Sequence, residues 1–401
     1  MRPSAYICRV MPNAMQLTEV TDAKGAKDFI AVNVMVNKGN PAYIRPLDKD
    51  INDVFDEKKN KAFRQGTVKR WLLRDGDGNL IGRIAAFTNK RYKNKGDDVP
   101  VGGVGFFDCI NNQEAANLLL DTAKQWLQTQ GMEAMDGPIN FGERDRWWGL
   151  VVEGFQSPLY AMNYNPPYYQ ALFETYGFQA FFHQICLGKV PKQPLSEKVL
   201  ERHAVFHKDP QFSVRTIEKK RLEKYAEDFT NVYNAAWAGH GGLKQMRKEQ
   251  VVQMFKKMAP VMDERIIWFT YKGEEPIAIF VNLPDLNQWF KHLHGKFSLF
   301  HKLKFLWVKK TIPCTKFTGL VFGIVPEWQG KGLDSFIVGE AYKGVLKNPY
   351  EEYEMQWIGD FNPKMLNVAQ GLGDVFQSRK LTTYRYLFDR TKEFKRHPIL
   401  V

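Results

Sequence analysis

The order of elements constrains this chain most, because the same order occurs twice. Each half runs helix, strand-turn-strand, strand, helix, strand, helix, strand, with little letter-by-letter identity between the halves. Repetition of one supersecondary order points to duplication of a mixed α/β domain. In the first half, KDFIAVNVMVNKG (27–39) reads as a helix. TVKRWLLRDGDGNLIGRIAAFTN (67–89) reads as two strands around a tight Asp-Gly turn. That turn is not a calcium loop, since its twelfth position is Ala86 where a bidentate Glu is needed. VGGVGFFDCI (101–110) is a strand. Ala115, Leu118, Leu119, Thr122 and Trp126 then recur at helical spacing up to a stop at Gly131.

The second half opens on an amphipathic helix over Leu222–Trp237 and reaches a strand, FTGLVFGIV, that leads through a glycine loop into DSFIVGEAYKGVL. The polar stretch 189–212, with three prolines, is the natural seam. The expected organisation is a tail over 1–20, a first domain over 21–190, a linker over 191–212, a second domain over 213–392 and a tail over 393–401. The length of 401 residues suits two domains of this size.

Charge narrows the partners. The net charge is +13, and Leu286–Pro326 contains seven lysines and no Asp or Glu. A basic chain suits nucleic acid, an anionic membrane or a polyanionic coenzyme. Nucleic acid is disfavoured, because the basic segment has no arginine and no recognisable binding motif. A helix over 297–310 would place Leu299, Phe300, Leu303, Leu306 and Trp307 on one face. That pattern fits an interfacial helix on an anionic membrane through 286–310, a lid over a long acyl chain, or a helix packed on its own domain with solvated lysines. The four cysteines are scattered with no CxxC pair, so neither a zinc site nor a disulfide scaffold is expected, and a reducing cytoplasm is the simplest home. The N-terminus lacks the apolar core of a signal peptide.

The stretch VFGIVPEWQGKGLDSF (321–336) carries the clearest chemistry. Gly330 and Gly332 let backbone amides approach a phosphate, Lys331 adds a charge, and the helix that follows adds its N-terminal dipole. Asp334, in the first helical turn, reads as a helix cap and would repel a diphosphate. A Walker-type loop is excluded, because no Ser or Thr follows a Gly-Lys pair.

With these motifs in this order, the chain resembles the GNAT acyltransferase superfamily, over about Lys27 to Phe388. Gln329 and Gly332 match two of the three positions of the coenzyme A pyrophosphate loop of that superfamily, and Asp334 departs from the third. NPPYYQALFETYGF matches its second motif in the first half, and NPKMLNVAQGLGDVF matches it more loosely in the second. The first half also resembles a group of bacterial GNAT-like proteins of uncharacterised function. The resemblance implies two tandem GNAT-like mixed-sheet domains, α/β (α+β) in class, of which only the second binds acetyl-CoA or a longer acyl-CoA. Gly323, Ile324, Val325, Gln329, Gly330, Lys331, Gly332, Leu333 and Asp334 would form that site, with a backbone N–H near Gly323–Val325 polarising the thioester.

The tyrosine that usually serves as the acid in this superfamily is replaced by Ala369 in the second half and Phe173 in the first, leaving Tyr384 or Tyr386 as substitutes. His240 is one candidate base and also reads as a surface loop histidine. Asp360 is the other, and also reads as the cap of the helix at Pro363. RDRWWG (144–149) reads as a pocket lining or as a loop pinned by its tryptophans. No metal is implied. Two functions follow: an acyl-CoA-dependent N-acyltransferase acting on an amine acceptor, or a catalytically silent tandem fold that binds a ligand, a membrane surface or a partner.

Overall fold

The structure is a computed structural model that describes residues 15–94, 96–237, 245–371 and 373–400. The chain divides into two units. Of the described residues, unit 1 takes those up to His183 together with Leu381–Pro398, and unit 2 takes those from Gln184 to Lys380 with Ile399 and Leu400.

In unit 1 the chain passes through β1 (Gln16–Glu19), α1 (Ala23–Val36), α2 (Asp48–Val54), β2 (Val68–Arg74), β3 (Leu80–Phe87) and β4 (Val101–Cys109). It continues through α3 (Gln113–Thr129), β5 (Ala134–Gly137), β6 (Leu150–Glu153), α4 (Tyr169–Tyr176) and β7 (Gln179–Lys189), which belongs to unit 2 from Gln184 onward. Strands β1 to β4 pair antiparallel in sequence order, and β4 pairs parallel with β5. Successive residues of a strand face opposite sides. Accordingly Leu73 and Ile84 pack with Leu119, Leu120 and Leu127 of α3, whereas Leu72 and Ala85 pack with Phe29 and Val32 of α1. The expected hairpin forms, with Asp75 accepting the amide hydrogens of Asp77 and Asn79 in its turn. Helix α4 stops at Gly177, whose φ of 109° suits only glycine.

Unit 2 contains α5 (Glu197–His207), β8 (Phe212–Thr216), α6 (Leu222–Trp237), α7 (Lys248–Met258), β9 (Ile267–Lys272), β10 (Glu275–Pro284), α8 (Asn287–Phe290) and α9 (Leu299–Thr311). It ends with β11 (Lys316–Ile324), α10 (Leu333–Val345), β12 (Glu352–Met355), β13 (Ile358–Gly359), α11 (Pro363–Gln370) and β14 (Phe376–Leu387). Strands β8 to β11 pair antiparallel in sequence order, and β11 pairs parallel with β12. One face carries α6 and α7, with Tyr225, Phe229 and Phe255 against Ile267, Phe269 and Ile279.

Three sequence boundaries differ from expectation. The stretch read as a linker, 191–212, holds α5, which packs so closely on α10 that a Cβ on Gly339 would lie 2.3 Å from the His203 ring. The last strand is also divided. β14 begins in unit 2, and from Leu381 it belongs to unit 1, pairing antiparallel with β5 from Tyr384↔Gly137 to Leu387↔Ala134. Residues 393–398, read as a tail, belong to unit 1, where the His397 N–H donates to the Phe181 carbonyl at 3.0 Å.

Candidate functional site

In unit 2 the two parallel strands part. Their ladder runs from Lys316↔Glu352 to Gly319↔Met355, where β12 ends, while β11 continues to Ile324. The cause lies on the other edge of β11. Its register with β10 slips between Val281 and Asn282, opposite Val321 and Gly319, leaving Leu320 as the extra residue of a bulge. A bulge bends and twists its strand, here just where the parallel pairing stops.

The exposed edge of β11 has a defined polarity. The Val325 N–H donates to the Ile277 carbonyl at 3.0 Å, and the pairs behind it are Ile324↔Ala278 and Gly323↔Ile279. Antiparallel alternation then turns the Gly323 and Val325 amides toward β10, and the Phe322 and Ile324 amides toward the gap. Of the three residues expected to offer a donor, Ile324 is the one whose N–H faces that way. Gly323 has a packing role: a Cβ there would lie 2.3 Å from the Trp237 ring, which closes down on the strand from the end of α6.

The loop after β11 is held by its own glutamine. Gln329 Nε2 donates to the Ile324 carbonyl at 2.9 Å, folding the loop back on the strand end. Gly330 and Gly332 have φ of 73° and 87°, values that favour glycine. Gly332 is the N-cap of α10, and no side chain caps the helix there. The first amides of α10 therefore keep their donor capacity and the helix its positive end. Asp334 departs from its expected role: it lies one residue beyond Leu333 in the first turn and does not cap. Leu333 is fully buried, an anchor for the helix start.

Three cations surround this helix start. Lys331 and Lys272 lie over the Trp328 ring at 4.9 and 5.0 Å, and the Arg202 stem comes within 3.5–3.7 Å of the Cβ position of Gly332. Trp328 is fixed edge-on against Phe212 at 5.2 Å. Arg202 and Lys272 carried no sequence signal. One lies in the supposed linker and the other at an unremarkable strand end.

Below the gap sits a buried ion cluster. Glu354 of β12 accepts from Arg379 Nε and pairs with Lys316 Nζ, both at 2.6 Å. Burial alone would push the Glu354 carboxyl up, but the two cations overcome it and hold it below its ordinary value. On the α10 face a small apolar pocket of ≈ 50 Å³ is lined by Trp268, Phe280, Phe317, Val338, Val345 and Tyr353, among others. Burial raises the Tyr353 hydroxyl above its usual range, so it stays neutral there.

No protein-family model matches the chain. A bacterial ceramide synthase of Caulobacter vibrioides is 24% identical over 352 residues, covering 86% of this chain and 91% of the relative. Among solved structures, a tandem GNAT protein from the clavulanic acid biosynthesis pathway aligns with a TM-score of 0.52 and 10% identity, over 94% of this chain and all of the other. A GCN5-related glucosamine N-acetyltransferase region of a fungal multi-domain GH3 β-N-acetylglucosaminidase gives 0.52 and 12%, over 94% of this chain and 38% of that one.

The fold is a tandem GNAT fold. In GNAT terms, unit 2 presents the parted central strands and the open helix start, and unit 1 does not. In unit 1 the parallel ladder also ends early, at Gly103↔Asp136, but the chain beyond β5 fills the space. The Ile139 N–H donates to the Val104 carbonyl at 2.8 Å, and a Cβ on Gly105 would lie 1.9 Å from the Ile139 carbonyl oxygen. Helix α3 is capped by Asn112, which accepts the Ala115 N–H at 2.9 Å.

The other expected residues fall in several places. His240 lies outside the described residues. Asp360 follows β13, and the cap of α11 is Asn362, which accepts the Met365 N–H, so Asp360 is not that cap. Ala369 is buried in α11. Tyr384 and Tyr386, offered as substitute acids, belong to unit 1. There the Tyr384 hydroxyl donates to Glu174 at 2.9 Å and Tyr386 packs on Tyr176. In RDRWWG both readings hold: Trp147 is buried against Phe106, while Arg144 and Trp148 line a polar pocket of unit 1 with Asn60, Arg91 and Tyr92. His203, His207 and Glu340 also come together, within 4.8 Å of one another. Lys343 of α10 shares the same Glu340 oxygen at 2.7 Å, so the cluster already works as a polar clasp in which Glu340 joins α5 to α10.

Proposed function

We propose that unit 2 binds an acyl-CoA and transfers its acyl group to an amine. The observation that carries this reading is the parting of β11 from β12 beside an uncapped helix start. The two features set a slot for an extended chain next to a site for its diphosphate. The residues fit the coenzyme on two counts. The amides of Gly330 to Leu333 are presented at positive-φ glycines, and Arg202, Lys272 and Lys331 offset the charge of Asp334.

A bound acyl-CoA supplies a thioester carbonyl and a thiolate leaving group. The Ile324 N–H is the donor placed to polarise that carbonyl, a stabilisation worth about 3 kcal/mol where one such donor is removed elsewhere. His240 or Asp360 takes the proton from the attacking amine. The leaving thiolate takes its proton from solvent, which accommodates Ala369 at the position of the usual acid. The name of the Caulobacter relative supports a long-chain amine as acceptor.

Calorimetric titration of acetyl-CoA and of long-chain acyl-CoAs tests the reading, with the long-chain donors expected to bind more tightly. Failure to bind any of them would sink it. Ala369, at the position of the usual acid, favours a second reading, a fold that binds acyl-CoA without turnover. Release of free thiol on adding long-chain amines separates the two, since the silent fold would release none.

A further inference from the structure

Helix α9 buries the face opposite the one its hydrophobic pattern picks out. Phe305 and Val308 point inward, with Phe305 against Phe290 at 5.4 Å and Trp289 at 6.1 Å. The stripe itself faces solvent: Leu299 is 76% exposed, Phe300 71%, Leu303 61%, Leu306 55% and Trp307 63%. At ~100° per residue these five side chains share one sector. Lys302 and Lys309 lie on one border of that sector, Lys304 on the other, and Lys310 at its C-terminal end. Lys309 donates to the Pro260 carbonyl and so anchors the helix to its own unit.

A stable unit does not leave five large apolar side chains on one helix in water without a counterpart. The charge pattern identifies that counterpart. Lysines border the stripe on both sides, and no acidic residue occurs between Leu286 and Pro326. A helix groove on a protein would be edged by acids along its whole length to satisfy this pattern, and a second copy of the same helix would bring lysine against lysine. An anionic lipid surface satisfies both parts at once. It takes the apolar stripe into the acyl–headgroup boundary and the lysine heads onto lipid phosphates. Trp307 has the amphipathic ring suited to that depth. No described helix is long and apolar enough to cross a membrane, so α9 would lie in the plane of the surface.

We propose that α9 docks unit 2 on an anionic bilayer. Leu299, Phe300, Leu303, Leu306 and Trp307 insert between the headgroups, and Lys302, Lys304 and Lys310 engage the phosphates. This rests on the helix alone and holds whether or not unit 2 is an acyltransferase.

The test is co-sedimentation of the full chain with vesicles of phosphatidylcholine alone and of phosphatidylcholine mixed with phosphatidylglycerol, with no acyl-CoA present. The expected result is binding to the mixed vesicles that weakens with added salt, and affinity about tenfold lower for the neutral ones. The double variant L303E/W307E should bind the mixed vesicles at least about tenfold more weakly. K302Q/K304Q/K310Q should lose most of the preference for phosphatidylglycerol. Because these side chains are exposed, the unfolding transition of each variant should match that of the parent chain, which separates lost docking from lost fold. Undiminished vesicle binding by a folded L303E/W307E overturns the proposal. So does a lack of vesicle binding, and in that case a concentration-dependent dimer abolished by the same variant would assign the face to a second copy.

Discussion

Helices α3 and α10 both follow the central strand of their unit, and they start in opposite ways. Asn112 closes the start of α3 with its own side chain, whereas Gly332 leaves that of α10 open. The gap behind each start differs in the same sense: Ile139 fills it in unit 1, and β12 stops short of it in unit 2. What the units share is the scaffold around this difference. In each, the strand parallel to the central one carries a buried carboxylate held by a buried arginine, Asp136 with Arg385 in unit 1 and Glu354 with Arg379 in unit 2. The two versions of one fold keep the ion pairs that fix the sheet and diverge in whether backbone donors are consumed internally or left for a ligand.

The comparison breaks most severely at the shared feature. Glu354→Gln removes the buried carboxylate that Arg379 and Lys316 share, and should cost about 3–5 kcal/mol in denaturant unfolding. Its pH dependence has a defined sign. The folded pKa of Glu354 lies below its ordinary 4.5, so the stabilisation is complete above that value and is lost as pH falls through the lower, folded one. Acid unfolding of the parent chain should therefore show a limb below pH 4.5 that the variant lacks.

Gly332→Glu tests the difference between the units. It places a side chain at a positive-φ position and an acid beside the diphosphate site, so acyl-CoA affinity should fall about 100-fold. The matching change in unit 1, Asn112→Ala, removes a cap. It should cost about 1 kcal/mol in thermal unfolding while leaving acyl-CoA affinity untouched. If Asn112→Ala alters that affinity, the assignment of the site to unit 2 alone fails. The smallest effect is expected from Arg202→Gln, a roughly threefold loss of acyl-CoA affinity that shrinks as salt is raised.

Much of this architecture was legible in the residues. The periodicity of Ala115 to Trp126 and of Leu222 to Trp237 marks α3 and α6, and the Asp-Gly turn marks the β2–β3 hairpin, because each depends on neighbours close in sequence. Helix α5 was not legible. It sits among prolines and polar residues, and only its packing on Gly339 makes it a structural element. The same limit hid Arg202 and Lys272, which reach the loop from distant segments. It also hid that Tyr384 and Tyr386 belong to unit 1, because the division of β14 between the units depends on strand pairing far from any local pattern.

The sequence by itself determined that a duplicated α/β fold forms and that Gln329–Gly332 turns from strand to helix, since these rest on local propensity, glycine φ and hydrophobic period. Only the tertiary structure decided that the parallel strands part beside that turn, that Asp334 does not cap α10, and that the apolar stripe of α9 faces outward. Each depends on what a strand edge, a helix start or a helix face meets across the fold, and burial, not residue type, settles that.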